Sequence, residues 1–383
     1  MMKKHYLPLT LLILAALVGA TVAFTFYVDP YGLYRPVTTE SLSRINQLKH
    51  MRSTKPLKLT SMKPRRIVIG SSRSGRIPVQ NPPWSEDAYN LSIPAIRPYE
   101  INRLLKFAHL QTPLEEVVIG LDYDAFLSGQ PKFREGFNDT LVNSSRFSAV
   151  LPHLEARSRT LLSSKSLLNS YQALSPRSDK YSAFLADGSW HSNSPAFSGM
   201  GGFQFAAKTF LNAHSGSKQP DLELEQFREL LNFCHSQQIR CHLLLTPVHL
   251  FQLEVFEAAG LFEQWETWHR QLIEINTSVA RQHRRPPLTL WALNTAQGIV
   301  DEPIRKASEA EDSWFKDGTH FRPRLGAMML GEISHPGRIQ SPITVSLSQE
   351  NVAAYLQQVA SLRGDFQQSQ SKIIAKLKGR LGI

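Results

Sequence analysis

"RRIVIGSSRSGRIP", residues 65–78, is the stretch on which the reading of the fold turns. Ile67, Val68 and Ile69 form an apolar run that stops at Gly70, and Ser71, Ser72 and Arg73 come directly after it. A short apolar run bounded by turn residues reads as a buried strand. Its abrupt end has two readings. Gly and Ser are ordinary turn residues, so Gly-Ser-Ser can be a plain strand exit. Alternatively, one serine is held at the carboxyl end of a central strand, where open α/β sheets bind their ligands.

The flanking sequence repeats the theme. Ala88–Leu91 reads as a second strand, and residues 98–110 have helical spacing, with Ile101, Leu104, Leu105 and Ala108 on one face. "EVVIGLDY" (116–123) is a third strand whose unbroken apolar run suits the middle of a parallel sheet. After residue 220 come an amphipathic helix (222–237), the buried strand "RCHLLLTP" (240–247), helices at 250–259 and 261–282, and a fifth strand, "PLTLWAL" (287–293). Strands alternating with helices predict a parallel sheet covered by helices on both faces. Residues 128–220 interrupt the rhythm. They are rich in Ser, Asn, Pro and Gly, include the cluster Ser198–Gly202, and read as an insertion or lid with some helix at 152–174. Residues 348–381 read as a helix or helical pair outside the core.

The chain has 383 residues, 42% of them hydrophobic, enough for one large core or a core with an inserted subdomain. Residues 1–5 are short and basic, and no residue from Tyr6 to Val28 is charged. Such a run is long enough to cross a bilayer as a helix, and the lysines before it favour a cytoplasmic N-terminus. A cleaved signal peptide is the alternative, with small residues at 18–20 and 20–23. Both readings export the rest of the chain. The expected layout is a cytoplasmic end and anchor (1–28), a linker or helical stalk (29–64) that begins with the turn-rich "DPYGLY" (29–34), an α/β domain (65–335) carrying the insertion 128–220, and a C-terminal helical tail (336–383).

The formal charge is +11 at pH 7, with basic clusters at 63–66, 281–285 and 372–380. Behind an export signal this points to anionic lipid or anionic polysaccharide rather than nucleic acid, or to a solvated basic surface with no specific partner. The two cysteines, Cys234 and Cys241, each precede a histidine. The four side chains lack zinc-site spacing, so no metal is expected, and buried structural thiols are the better reading than a disulfide.

Each candidate for chemistry falls at the carboxyl end of an expected strand or in a loop on that side. Ser71 and Ser72 follow the first strand, Asn90 the second and Asp122 the third. The fourth candidate is late, Asp317-Gly-Thr-His320. If that loop makes a helical turn, residues three apart share a face. The carboxylate then accepts the Nδ1 proton and leaves Nε2 as a base toward a hydroxyl.

Taken together and in this order, these residues resemble the SGNH/GDSL-type hydrolase family. Gly70-Ser71-Ser72 is similar to its first block, with Ser72 as nucleophile and Ser71 as the rival. Asp317 and His320 are similar to its last. Asn90 to Ala95 resembles the second block, with Ala95 where the family has an oxyanion-hole glycine. Ile119 to Asp122 resembles the third, with Asp122 where the family has a donating asparagine; an ionised carboxylate cannot donate. The resemblance implies a flavodoxin-like three-layer α/β/α fold, a Ser72–His320–Asp317 triad, an acyl-serine intermediate and no cofactor.

Combined with the single N-terminal anchor, the resemblance extends to the membrane-tethered branch that modifies cell-envelope polymers, such as the alginate O-acetylation and D-alanyl transfer proteins. It implies an acylated envelope polysaccharide as substrate, a membrane-bound O-acyltransferase as partner, and a single-pass protein of the cytoplasmic membrane with its catalytic domain in the periplasm or outside the cell. Arg73 is a candidate to hold an anionic substrate group, or a helix-start residue, and Arg97 has similar standing. His249, at the end of "LLTPVH", is a candidate substrate contact or a structural histidine. Trp265, Trp268 and Leu272 recur at helical spacing and read as core. An O-acyltransferase, an esterase on the same fold, and a non-catalytic glycan-binding or scaffold protein remain open, with Asp122 favouring the last.

Overall fold

The computed structural model describes residues 6–35, 50–80, 84, 87–129, 131–142, 146–174, 182–192, 198–214, 223–338 and 341–382. Part of the expected stalk, 36–49, lies outside them. The chain divides into two compact units. The first comprises residues 1–63, 136–186 and 191–194, and the second comprises 64–135, 187–190 and 195–383.

The second unit is built on a six-stranded, mostly parallel sheet. Its strands are β1 (Arg66–Ile69), β2 (Ala88–Asn90), β3 (Glu116–Leu121), β4 (Arg240–Leu245), β5 (Thr289–Ala292) and β6 (Val345–Leu347), in the order β2-β1-β3-β4-β5-β6. β1 to β5 pair in parallel, and β6 closes the edge antiparallel to β5. The run β2-β1-β3-β4-β5 is one of the two common doubly wound orders, with its topological switch point between β1 and β3. The alternation read from the sequence is therefore present. β3 is buried along its whole length, as its unbroken apolar run requires.

The helices follow their stripes. In α3 (Pro98–Gln111), Ile101, Leu104, Leu105 and Ala108 are buried. Pro98 starts this helix, where it forfeits no intrahelical bond, and the Glu100 carboxylate accepts from the Arg97 amide. α7 (Glu225–Ser236) buries Phe227, Leu230, Leu231 and Cys234. Between β4 and β5 stand α8 (Leu250–Ala258) and α9 (Phe262–Gln282). Trp265, Trp268 and Leu272 of α9 are core residues. Cys234 and Cys241 are buried thiols, not joined to each other.

Three expectations change. Residues 199–214 are not loop but helix α6, and Phe203, Ala207 and Phe210 are buried in the second unit. The glycines at its start hid it: Gly199 has a positive φ, and a Cβ there would meet the Arg305 carbonyl at 2.6 Å. The insertion 128–220 is thus divided, with 136–186 in the first unit. Nor is the C-terminal region a tail outside the core. β6 completes the sheet, and α11 (Val352–Ser369) buries Tyr355, Leu356, Val359 and Phe366. The Tyr355 hydroxyl accepts from the Asn294 amide at 3.2 Å, just past β5. α10 (Pro323–Ser334) and α12 (Ser371–Leu381) are the remaining α-helices among this unit's described residues.

In the first unit, α1 (Tyr6–Val28) is, among the described residues, the one helix long and apolar enough to cross a membrane. It ends at Asp29, whose carboxylate accepts from the amides of Leu33, Tyr34 and Arg35 at 2.8, 2.8 and 2.9 Å, fixing the "DPYGLY" turn. α2 is Met51–Met62. The segment expected to hold some helix forms α4 (Arg146–Leu162) and α5 (Ser164–Leu174). Thr25 of α1 donates to the Leu161 carbonyl at 2.7 Å, and Asn169 donates to the Tyr31 hydroxyl at 2.9 Å.

Candidate active site

Strand β1 ends at Gly70 because the next turn needs the space. A Cβ on Gly70 would lie on the Ser74 hydroxyl, and so would one on Gly120 of neighbouring β3. The chain leaves the strand not into an α-helix but into one 3₁₀ turn, Ser74–Arg76. The two serines before this turn divide their work. The Ser71 hydroxyl is buried and accepts from the Arg73 amide at 3.2 Å, so it holds the turn. Ser72 turns outward, and its Oγ lies 2.8 Å from His320 Nε2.

Asp317 and His320 belong to a tight loop closed by an antiparallel bridge between Phe315 and Phe321. No helical turn brings them together. Instead Asp317 Oδ1 accepts from the amides of Thr319 and His320, both at 2.8 Å, and from the Thr319 hydroxyl at 3.0 Å. This Asx-type turn aims the carboxylate back at the imidazole. His320 Nδ1 then lies 2.9 Å from Asp317 Oδ2 and 3.1 Å from Oδ1. Burial raises the Asp317 pKa, but the His320 charge, its ring N–H and the two amides outweigh this and hold it at about 2. The carboxylate therefore stays ionised and fixes the tautomer with Nε2 free toward Ser72. Among the described residues, no group accepts from the Ser72 amide.

Asn90 does not point a donor into this site. It is fully buried beneath the turn, and its amide donates to the Ser74 and Ile77 carbonyls at 2.9 and 2.8 Å. Its oxygen accepts from the Ser92 amide at 3.0 Å. Asn90 is thus a clamp on the serine turn. His249 is also structural. It caps α8, accepting from the Phe251 amide at 3.1 Å and donating to the Glu302 carbonyl at 2.8 Å. Phe203, Phe315 and Phe366 surround the ring, and burial pushes its pKa down to about 4.

Asp122 and Arg73 explain one another. Arg73 Nη1 lies 3.3 Å from Asp122 and 2.8 Å from Asp124, and all three are drawn into one cluster. Burial alone would lower the Arg73 pKa, but the two carboxylates raise it beyond its ordinary value. Asp122 also accepts from the Thr246 hydroxyl. Asp122 therefore shares the Arg73 cation with Asp124, and Arg73 is engaged by protein rather than open to a ligand. Arg97 is a helix cap whose guanidinium lies at the Asp124 and Ala125 carbonyls. Ala95 is exposed, with φ of 52°. It holds the left-handed backbone that favours glycine.

No protein-family model matches the chain, and no curated protein matches it either.

Sequence reasoning missed the wall of the site. Trp190 meets the His320 ring edge-on, with centroids 6.0 Å apart, and the Arg76 guanidinium lies 4.2 Å above the Trp190 ring. Gly326 of α10 lets that helix lie against the Arg76 carbonyl, where a Cβ would come within 2.9 Å. Burial lowers the Arg76 pKa to about 10 although Asp317 opposes it. Burial likewise lowers Lys316, assisted by Arg76, to about 8. The pattern "SGR" after the serine and the Lys beside Asp317 were visible as residues. Their convergence was not, because the wall comes from three segments far apart in sequence.

Proposed function

We propose that the chain is a membrane-anchored, exported serine acyltransferase or esterase of the SGNH type. It acts on O-acyl groups, acetyl foremost, of a cell-envelope or extracellular polysaccharide. One observation carries the reading: Ser72, His320 and Asp317 form a continuous hydrogen-bonded chain, with Ser72 and His320 joined at 2.8 Å across 248 residues of sequence. The strand order β2-β1-β3-β4-β5 supports the flavodoxin-like part of the proposal. Helix α1 supports the anchor.

In this mechanism His320 Nε2 takes the Ser72 proton as Oγ attacks the ester carbonyl carbon. The tetrahedral oxyanion is received by backbone amides, with those of Ser72 and Ala95 the candidates. As the ester C–O bond breaks, His320 returns the proton to the leaving alkoxide, and an acyl-serine remains. Water or a sugar hydroxyl then attacks the acyl carbon, gives its proton to His320, and the Ser72 oxygen leaves and regains that proton. Water makes the chain an esterase and a sugar hydroxyl makes it a transferase. For a transferase, a membrane-bound O-acyltransferase is the proposed acyl source, and the envelope polymer outside the cytoplasmic membrane is the proposed acceptor.

The test is a fluorophosphonate probe on the full chain, with the adduct located by mass spectrometry. Label on Ser72 that disappears in His320→Ala is the expected result. A folded protein that takes no label between pH 6 and 9 overturns the proposal. Acyl release that accelerates with added glycan distinguishes transfer from hydrolysis.

A further inference from the structure

The charges around the triad are not balanced. Arg73 is neutralised by Asp122 and Asp124. Arg76 and Lys316 are equally enclosed, only 6% and 8% exposed, and have no such partner among the described residues. Arg76 Nε is buried without a hydrogen bond, and neither its Nη groups nor Lys316 Nζ bonds to an acceptor among the described residues. No described carboxylate lies within ion-pair distance of either. Asp317 is close enough for its charge to be felt by both, but its oxygens serve His320, Thr319 and the loop amides. Arg322, which adds to the positive field, is tied to the Ala310 carbonyl and the Ser313 hydroxyl.

Stacking on Trp190 accounts for the plane of the Arg76 guanidinium but not for its unmet donors. Two cations enclosed to this degree, with no protein acceptor on either among the described residues, have lost much of their hydration and repel one another. A planar guanidinium beside an ammonium matches the oxygens of a carboxylate or phosphate. The position is specific as well. Trp190 joins Arg76 to the His320 ring, and Lys316 adjoins Asp317 in sequence, so both cations lie on the side of the base.

We infer that Arg76 and Lys316 form an anion subsite beside His320 that holds a carboxylate or phosphate on the alcohol part of the ester substrate. This rests on the proposed acyl-transfer reading, in which His320 hands its proton to the leaving alkoxide and later takes one from the acceptor hydroxyl. A group next to His320 is on that alcohol, not on the acyl chain. The substrate class is therefore an anionic sugar or polyol ester, and a neutral glycan is disfavoured.

The experiment uses full-length Ser72→Ala protein in detergent, which cannot form an acyl-enzyme. Calorimetry measures binding of inorganic phosphate and, separately, of D-glucuronate, with chloride at matched ionic strength as the blank. The expected result is binding of at least one anion, weakened tenfold or more by adding either Arg76→Gln or Lys316→Gln. Stronger glucuronate binding assigns the subsite to a carboxylate, and stronger phosphate binding to a phosphate. In the wild-type chain the bound anion should slow fluorophosphonate labelling of Ser72 several-fold, and this protection should vanish in Lys316→Gln. Absence of binding for both anions, or binding unchanged in both variants, overturns the inference. If Arg76→Gln does not fold, Lys316→Gln decides alone. Loss of Ser72 labelling with anion binding intact would instead strike the acyl-transfer reading and leave the subsite standing.

Discussion

His320 and His249 both sit in loops that leave parallel strands at their carboxyl ends, yet their ring nitrogens are used in opposite ways. His320 has one nitrogen on a carboxylate and the other on a hydroxyl, with its side chain 24% exposed. His249 is fully buried with both nitrogens on backbone groups. A residue type at the right edge of a sheet is thus not a functional assignment. What separates the two is the partner: a carboxylate can stabilise an imidazolium as it forms, whereas a backbone amide that donates to one nitrogen demands the neutral ring.

The largest expected effects test the His320 side of this contrast. Ser72→Ala or His320→Ala should lower hydrolysis of a 4-nitrophenyl ester on the order of 10⁶-fold, because the two act as one unit. Asp317→Asn should cost on the order of 10⁴-fold by leaving the wrong tautomer, with the fold intact. A double variant Ser72→Ala/His320→Ala no slower than either single variant would bear out the coupling. Additive losses would break it.

The His249 side predicts a stability effect and no comparable loss of chemistry. Its pKa falls from 6.5 to about 4 on folding because burial disfavours the charged ring. Between those values the unfolded chain binds a proton that the folded chain refuses, so stability is full above about pH 6.5 and declines as pH falls toward 4. The shift corresponds to roughly 3 kcal/mol. His269, buried with Nδ1 at the Trp265 carbonyl and also pushed to about 4, adds to the same decline. His249→Gln should therefore flatten the dependence of urea unfolding on pH between 6.5 and 4, while costing about 1–2 kcal/mol at pH 7 from weakened cap bonds. An unchanged slope would show that the ring is charged in the folded state and would dissolve the contrast.

Legibility in the sequence divides along the same line. Strand positions, the serine turn and the Asp-x-x-His pair were legible because each is a local pattern: an apolar run, a Gly-Ser exit, a three-residue spacing. Ser72 was separable from Ser71 only by contact with a loop nearly 250 residues away. Asn90 read as a candidate donor, and His249 as either a substrate contact or a structural histidine, because a sequence does not reveal which backbone groups come within reach. Helix α6 was hidden by its glycine-rich start, and the pairing of Arg76 with Trp190 by the distance between their segments.

Asp122 gives the smallest and most discriminating effect. As a bare carboxylate beside a forming oxyanion it would oppose catalysis, but it shares buried Arg73 with Asp124, so its charge is partly offset. Asp122→Asn keeps an acceptor for Thr246 and leaves Asp124 to hold Arg73 at 2.8 Å. The expected outcome is a loss of about 1–2 kcal/mol in stability, since one of two anions around a buried guanidinium is gone, with esterase turnover within about threefold of the parent. If the substitution instead accelerated acylation tenfold or more, the Asp122 charge would be felt at the reacting carbonyl. The Arg73 cluster would then be part of the electrostatics of the site rather than its scaffold.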